Sequence, residues 1–182
     1  MNRNNQTVVN AEVTFANDVE LISTTDTRGV ITYANPAFCQ VSGYSNEELL
    51  GKNHNLVRHP EMPKAAFADL WLNLQQKQSW RGMVKNRCKD GRYYWVDAFI
   101  TPIYQQHQLV GFQSVRKAPS RELIKRAEYC YQQLQQGKTL GGWRLNHHLR
   151  NWTAIIATLA LVSTCSLLIS VWFMLMLLLP VL

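Results

Sequence analysis

The chain has 182 residues, of which 17% are charged and 47% hydrophobic, with six Trp, seven Tyr and six Phe. That composition excludes disorder as the main state and leaves room for one domain plus an appendage. Nineteen Lys and Arg against twelve Asp and Glu give a net charge of +7, but no nucleic-acid motif accompanies the excess, so no nucleic-acid partner is expected.

In chain order, residues 1–18 are polar, weakly patterned and read as a flexible N-terminal cap. Residues 19–25 and 30–34 read as two strands joined at Asp26-Thr27-Arg28-Gly29, a hairpin. Asn35-Pro36 suits the start of a helix that Gly43 stops. Ser45-x-x-Glu48 is a capping box for a second short helix, ended by Gly51. A short turn carries NHNLVRHP. A longer helix is expected from about Pro63 to Gln76, because Phe67, Leu70, Trp71 and Leu74 fall at i, i+3, i+4 and i+7.

Three strands follow. In 80–89, Trp80, Gly82, Val84, Asn86 and Cys88 share one face, and a basic, solvated set shares the other. Asp90-Gly91 signals a hairpin into 92–104, which is apolar on both faces as a twice-covered central strand would be. Residues 105–108 turn into the last strand, 109–116. Ser120 then caps a helix to about Gln135, with Leu123, Ile124, Ala127, Tyr131 and Leu134 as its stripe. The order β-β-α-α-α-α-β-β-β predicts an α+β domain over 19–117: an antiparallel sheet with helices on one face.

Beyond a linker and basic segment (118–152), residues 153–179 run for 27 positions without a charge, His, Asn or Gln. A helix of that length is expected to cross a membrane. Lys138, Arg144 and Arg150 precede it, which places the domain in the cytoplasm by the positive-inside rule. No basic leader with a short apolar core opens the chain, so no cleaved signal peptide is expected.

Four Cys at 39, 88, 130 and 165 form no CxxC pair, which supports neither a zinc ribbon nor a disulfide framework. Asn86 is an amide on an otherwise apolar inner face. Either it finds partners in neighbouring backbone or side chains, or it bonds a bound ligand. Alternation makes Gln113 a second candidate inward amide. Gly82 and Gly111 are expected to leave space above the sheet. Phe67, Trp71 and Trp80 are either plain core or the walls of a slot for a flat heteroaromatic ring. The basic stretch 52–64 is either a solvated loop or an anion site with Arg58 as its bidentate donor. His54 and His59 are alternatively metal or haem ligands. No activated nucleophile or acid/base pair stands out, so no enzyme is expected.

These residues resemble a family. YANPAFCQVSGYSNEELLGK (33–52) and KDGRYYWVDAFITPIY (89–104) look like the two signature blocks of PAS domains, which implies a five-stranded antiparallel sheet. HNLVRHPEMPKAAFADLW (54–71) with KNRCKDGRYYWV (85–96) is similar to the PAS domain of bacterial aerotaxis receptors. That resemblance implies noncovalent FAD, redox or oxygen sensing, and a cytoplasmic domain anchored in the bacterial inner membrane. The family's flavin pocket would fall on Asn35, His54, Arg58, His59, Phe67, Trp71, Trp80 and Asn86. The aromatics would wall the ring, Asn86 would read its polar edge, and Arg58 with His54 or His59 would offset the pyrophosphate, while Asn35 is alternatively only a helix cap.

Glu61 stands where the family has Asp. Those receptors continue into a HAMP element and a coiled-coil signalling region, whereas this sequence stops at Leu182; either output is expected through a homodimer or a chemoreceptor or HAMP-type partner, or the chain is a fragment of a longer protein. In flavin photosensors of the light-oxygen-voltage type a reactive Cys takes the place of His54, so light-driven thiol chemistry is not expected. The rival expectations are a cofactor-free PAS docking module and a haem-based gas sensor.

Overall fold

Capping residues fix the helix starts. In the computed structural model, which describes residues 7–138, Asn35 Oδ1 accepts from the Phe38 amide at 3.0 Å and opens α1 (Pro36–Ser42). Ser45 and Glu48 form the reciprocal capping box of α2 (Asn46–Leu49). A 3-10 turn at His54–Val57 is capped by Asn53, and α3 spans Lys64–Gln75. The strands are β1 (Leu21–Asp26), β2 (Ile31–Ala34), β3 (Trp80–Arg87), β4 (Tyr93–Gln105) and β5 (Gln108–Lys117), followed by α4 (Arg121–Gln135), which Ser120 caps.

The strands form one antiparallel sheet in the order β2-β1-β5-β4-β3. β2 and β3 are consecutive strands yet occupy opposite edges. The connection must cross the sheet, and it does so as α1, α2, the 3-10 turn and α3, which cup one face. Leu21, Ile31, Phe38, Leu49, Val57, Leu74, Tyr94 and Val96 are at most 1% exposed and centre the core between them. Burial of each such aliphatic or Phe side chain contributes about 1.5–3 kcal/mol.

The opposite face is less bare than the sequence predicts. α4 packs there: Tyr131 stacks on Trp95 with ring centroids 6.1 Å apart, and its hydroxyl donates to the Met83 carbonyl. The basic side of β3 is covered at Lys85 and Arg87, while Arg81 stays solvated and pairs with Asp97 at 2.6 Å. Lys85 and Arg87 are buried; Lys85 pairs with Glu61 at 2.6 Å and lies over the Tyr93 ring, and Arg87 donates to the Tyr44 hydroxyl at 3.3 Å. β4 is covered twice only at its start, since Trp95 is buried while Phe99 on the same side is 47% exposed. The N-terminal segment is also ordered against the domain. Val9 and Val13 donate their amides to the Gly91 and Tyr93 carbonyls, and Arg121 of α4 pairs with Glu12 at 2.5 Å.

Among the described residues no helix is long and apolar enough to cross a membrane. The apolar run 153–179 lies outside the described residues.

Candidate functional site

The cup between sheet and helices encloses a hollow of about 710 Å³ with its open mouth included, in which the centre of a water molecule has about 80 Å³ of room. Alternation along each strand selects its sheet wall: Ser23 and Thr25 from β1, Val84 and Asn86 from β3, Ala98 and Ile100 from β4, and Phe112, Ser114 and Arg116 from β5. The facing wall is the apolar stripe of α3, with Phe67, Leu70, Trp71 and Leu74 at the spacing read from the sequence. Trp71 meets Phe112 edge to face, centroids 5.9 Å apart. Asn53, His54, Asn55 and Arg58 complete the rim.

On the lining, Asn86 Nδ2 and Ser114 Oγ are buried without a hydrogen bond of normal geometry among the described residues, Asn86 lying beside the buried Tyr94 hydroxyl. Such orphans cost about 1–3 kcal/mol each unless a ligand or water satisfies them. Arg58 pairs its backbone with Asn86 as a bridge at the β3 edge, donates Nη2 to the Met62 carbonyl at 2.9 Å, and stacks 3.7 Å over the Phe67 ring. Arg116 Nη2 sits 2.7 Å from His54 Nε2 and 3.1 Å from the Ser23 hydroxyl. Burial and the neighbouring Arg116 charge push the His54 imidazole down to about 3. Burial pulls the Arg116 guanidinium down to about 10, still a cation at neutral pH.

Of the nine residues singled out in the sequence, the structure brings five to the cavity: His54, Arg58, Phe67, Trp71 and Asn86. Four lie elsewhere. Asn35 is a cap and a clamp, accepting from Phe38 and Ile22 amides and donating to the Glu20 carbonyl. His59 follows Arg58 on an extended stretch, so it points to the other side, edge-on to Tyr93 and near Glu61. Trp80 lies along its own strand over Gly82, its indole N–H donating to Asp69 at 2.9 Å. Gln113 is exposed on the outer face, because β5 turns its even-numbered residues inward.

The two glycines leave no space either. A Cβ on Gly82 would meet the Trp80 ring at 2.4 Å, and one on Gly111 the Thr25 carbonyl at 1.9 Å. Neither histidine is an available cation: burial and the Lys85 charge push His59 down to about 4, as burial and Arg116 do for His54. The residues that sequence reasoning missed are Ser23, Phe112, Ser114 and Arg116. The signal for the last three was the two-residue spacing 112, 114, 116, masked by the more apolar odd positions of the strand.

Comparison with known proteins places this geometry. The family described as the PAS fold matches residues 31–116. The aerotaxis receptor of Escherichia coli (strain K12) is 48% identical over 124 residues, 68% of this chain and 24% of that protein. The nitrogen fixation regulatory protein of Klebsiella pneumoniae is 46% identical over 82 residues, 45% of this chain and 17% of that one. The chain thus spans at most about a quarter of the length of these relatives. Among solved structures, the PAS domain of a Colwellia psychrerythraea protein superposes with a TM-score of 0.52 at 24% identity, covering 56% of this chain and 87% of that one. A light-oxygen-voltage domain described with a flavin analogue gives 0.56 at 22% identity, covering 62% and 87%. Both structural likenesses bear on the fold alone. With the five-stranded sheet, the cupping helices and the family match in agreement, this chain carries a PAS domain, matched over residues 31–116 and similar to that of the aerotaxis receptor.

Proposed function

We propose that this chain is a membrane-anchored sensor whose PAS domain binds FAD in the cup and passes the flavin's redox state to a signalling partner. The observation that carries this reading is the inventory of the hollow: aromatic walls from Phe67, Trp71 and Phe112, beside the buried Asn86 Nδ2 and Ser114 Oγ. A planar ring with polar atoms along one edge fits that inventory, since apolar faces need walls and edge atoms need donors. Bound there, a flavin supplies reversible electron and proton uptake. The chain's own residues do the rest. Trp71 and Phe67 exclude water, Asn86 and Ser114 offer hydrogen bonds, and Arg58 and Arg116 offset negative charge.

A path from the cup to α4 supports the signalling half. The stretch 58–62 wraps the β3 edge. Arg58 faces the cup and His59 the other side, and the Glu61 carboxylate takes Lys85 at 2.6 Å while its carbonyl takes the Gln135 amide of α4, also at 2.6 Å. A change at Arg58 is therefore three residues from an α4 contact. A ligand shifts such a switch only by interacting unequally with its two states. In the sequence α4 leads to the basic segment and the apolar run 153–179, which is the proposed anchor in the inner membrane.

The test is retention. Full-length protein purified in detergent and reconstituted with FAD is expected to keep about one flavin per chain through gel filtration, released by acid. Protein that retains none overturns the reading. Exposed Phe99 on the outer sheet face and Tyr129 on α4, at 47% and 63%, favour a second reading, a docking or dimerising module without cofactor. A stable dimer that takes up no FAD selects it.

A further inference from the structure

Arg116 is 3% exposed on β5, the middle strand of the sheet. Its guanidinium donates to the Leu21 carbonyl, the Ser23 hydroxyl and His54 Nε2, and lies 5.1 Å over the Phe38 ring. All four partners are neutral. The titratable groups facing it are His54, held neutral, and the buried Tyr94 hydroxyl, whose pKa burial raises. No carboxylate comes within 4.0 Å of Arg116 among the described residues, whereas buried Lys85 has Glu61. A buried cation without a counter-ion is strongly unfavourable, because its lost hydration is not repaid. Its position on the cavity wall lets a ligand supply the missing charge.

The kind of anion follows from the place. A pyrophosphate brings two localised charges that need extensive solvation, and the centre of a sheet offers one guanidinium. A single charge spread over an aromatic ring needs less. Building on the flavin reading above, we infer that Arg116 is the counter-ion for the negative charge that a bound isoalloxazine gains on reduction. The balance is simple: the neutral ring takes two electrons from a soluble low-potential donor (dithionite in the test below, which is oxidised to sulfite) and one proton from solvent, and its net charge becomes −1. Arg116 is then the residue through which the protein feels the electron count, and its hydrogen bonds to His54 and Ser23 are what that charge competes with.

The test is the midpoint potential of the flavin-loaded full chain in detergent, titrated with dithionite against indicator dyes from pH 6 to pH 8. Wild type is expected to fall by about 30 mV per pH unit, one proton for two electrons. Arg116→Met is expected to hold the reduced ring at least tenfold more weakly relative to the oxidised one, a drop of about 30 mV, with the slope steepening toward about 59 mV per pH unit as a second proton is taken up. Arg116→Lys, which keeps the charge, retains the wild-type slope. If Arg116→Met does not fold, Arg116→Gln keeps donors toward Ser23 and His54 and serves in its place. An unchanged midpoint and slope, or an equal loss of affinity for oxidised and reduced flavin, overturns the inference and leaves flavin binding intact. A wild-type chain that takes up no flavin overturns both.

Discussion

Arg116 Nη2 lies 2.7 Å from His54 Nε2, and a guanidinium can only donate, so His54 accepts there and carries its own proton on Nδ1. The imidazole is sandwiched further by the Phe38 ring, stacked at 5.9 Å and nearly parallel. This pair changes the role of both residues. His54 is a neutral group whose Nε2 is engaged by Arg116, not the phosphate-facing cation its place in a basic stretch implies. The cup's charge comes instead from Arg116 and Arg58.

The neutral histidines make the fold acid-sensitive. His54 is held at about 3 and His59 at about 4, both below the ordinary 6.5. The unfolded chain therefore binds more protons than the folded one below pH 6.5. The stabilisation is complete above that pH and is lost as pH falls toward 4 and then 3. Each is expected to cost about 2 kcal/mol by pH 5. Chemical unfolding at pH 7 and pH 5 checks it, and His59→Gln should flatten part of the dependence.

Asn86→Leu separates a ligand contact from a structural one. Among the described residues its Nδ2 makes no hydrogen bond of normal geometry, so replacing it with a similar apolar volume is expected to leave stability within about 1 kcal/mol. Flavin affinity is expected to fall about tenfold, a loss of about 1.4 kcal/mol. Denaturation of the apoprotein and flavin titration read the two effects separately.

Trp80→Phe gives the opposite pattern. The indole N–H is tied to Asp69 on α3, and the ring covers Gly82 instead of lining the hollow. Loss of that charge-assisted bond is expected to cost about 1.5–3 kcal/mol of stability. Flavin affinity in the folded variant should stay within about twofold, measured by the same titration.

Gly29→Ala acts on the cup at a distance. Gly29 has φ +79, and a Cβ there would sit 3.2 Å from the end of the Trp71 ring. The left-handed backbone alone costs a residue with a Cβ about 1–2 kcal/mol. The variant is expected to melt earlier and, by pushing Trp71 into the hollow, to retain less flavin than wild type at matched FAD.

The elements were readable because local chemistry set them. Asn35, Ser45 and Ser120 cap where they stand, and the stripe 67, 70, 71, 74 faces the sheet as its spacing requires. Asn86 was readable for the same reason, as one amide in a clean alternation. Gln113 was misplaced because β5 carries its polar residues inward: Ser114 and Arg116 face the cup, so hydrophobicity chose the wrong side. A strand that serves a polar site breaks the pattern used to orient it. His59 depended on the Arg58–Asn86 bridge, a contact between distant segments that sequence spacing does not carry. Trp80 filling the space over Gly82 is a side-chain direction, equally invisible at that level.

The account rests on flavin in the cup, and the visible absorption spectrum of the detergent-purified full chain tests that most directly. It predicts the two-banded spectrum of a bound flavin, bleached by dithionite and restored by air. A colourless protein that stays colourless after incubation with FAD contradicts it.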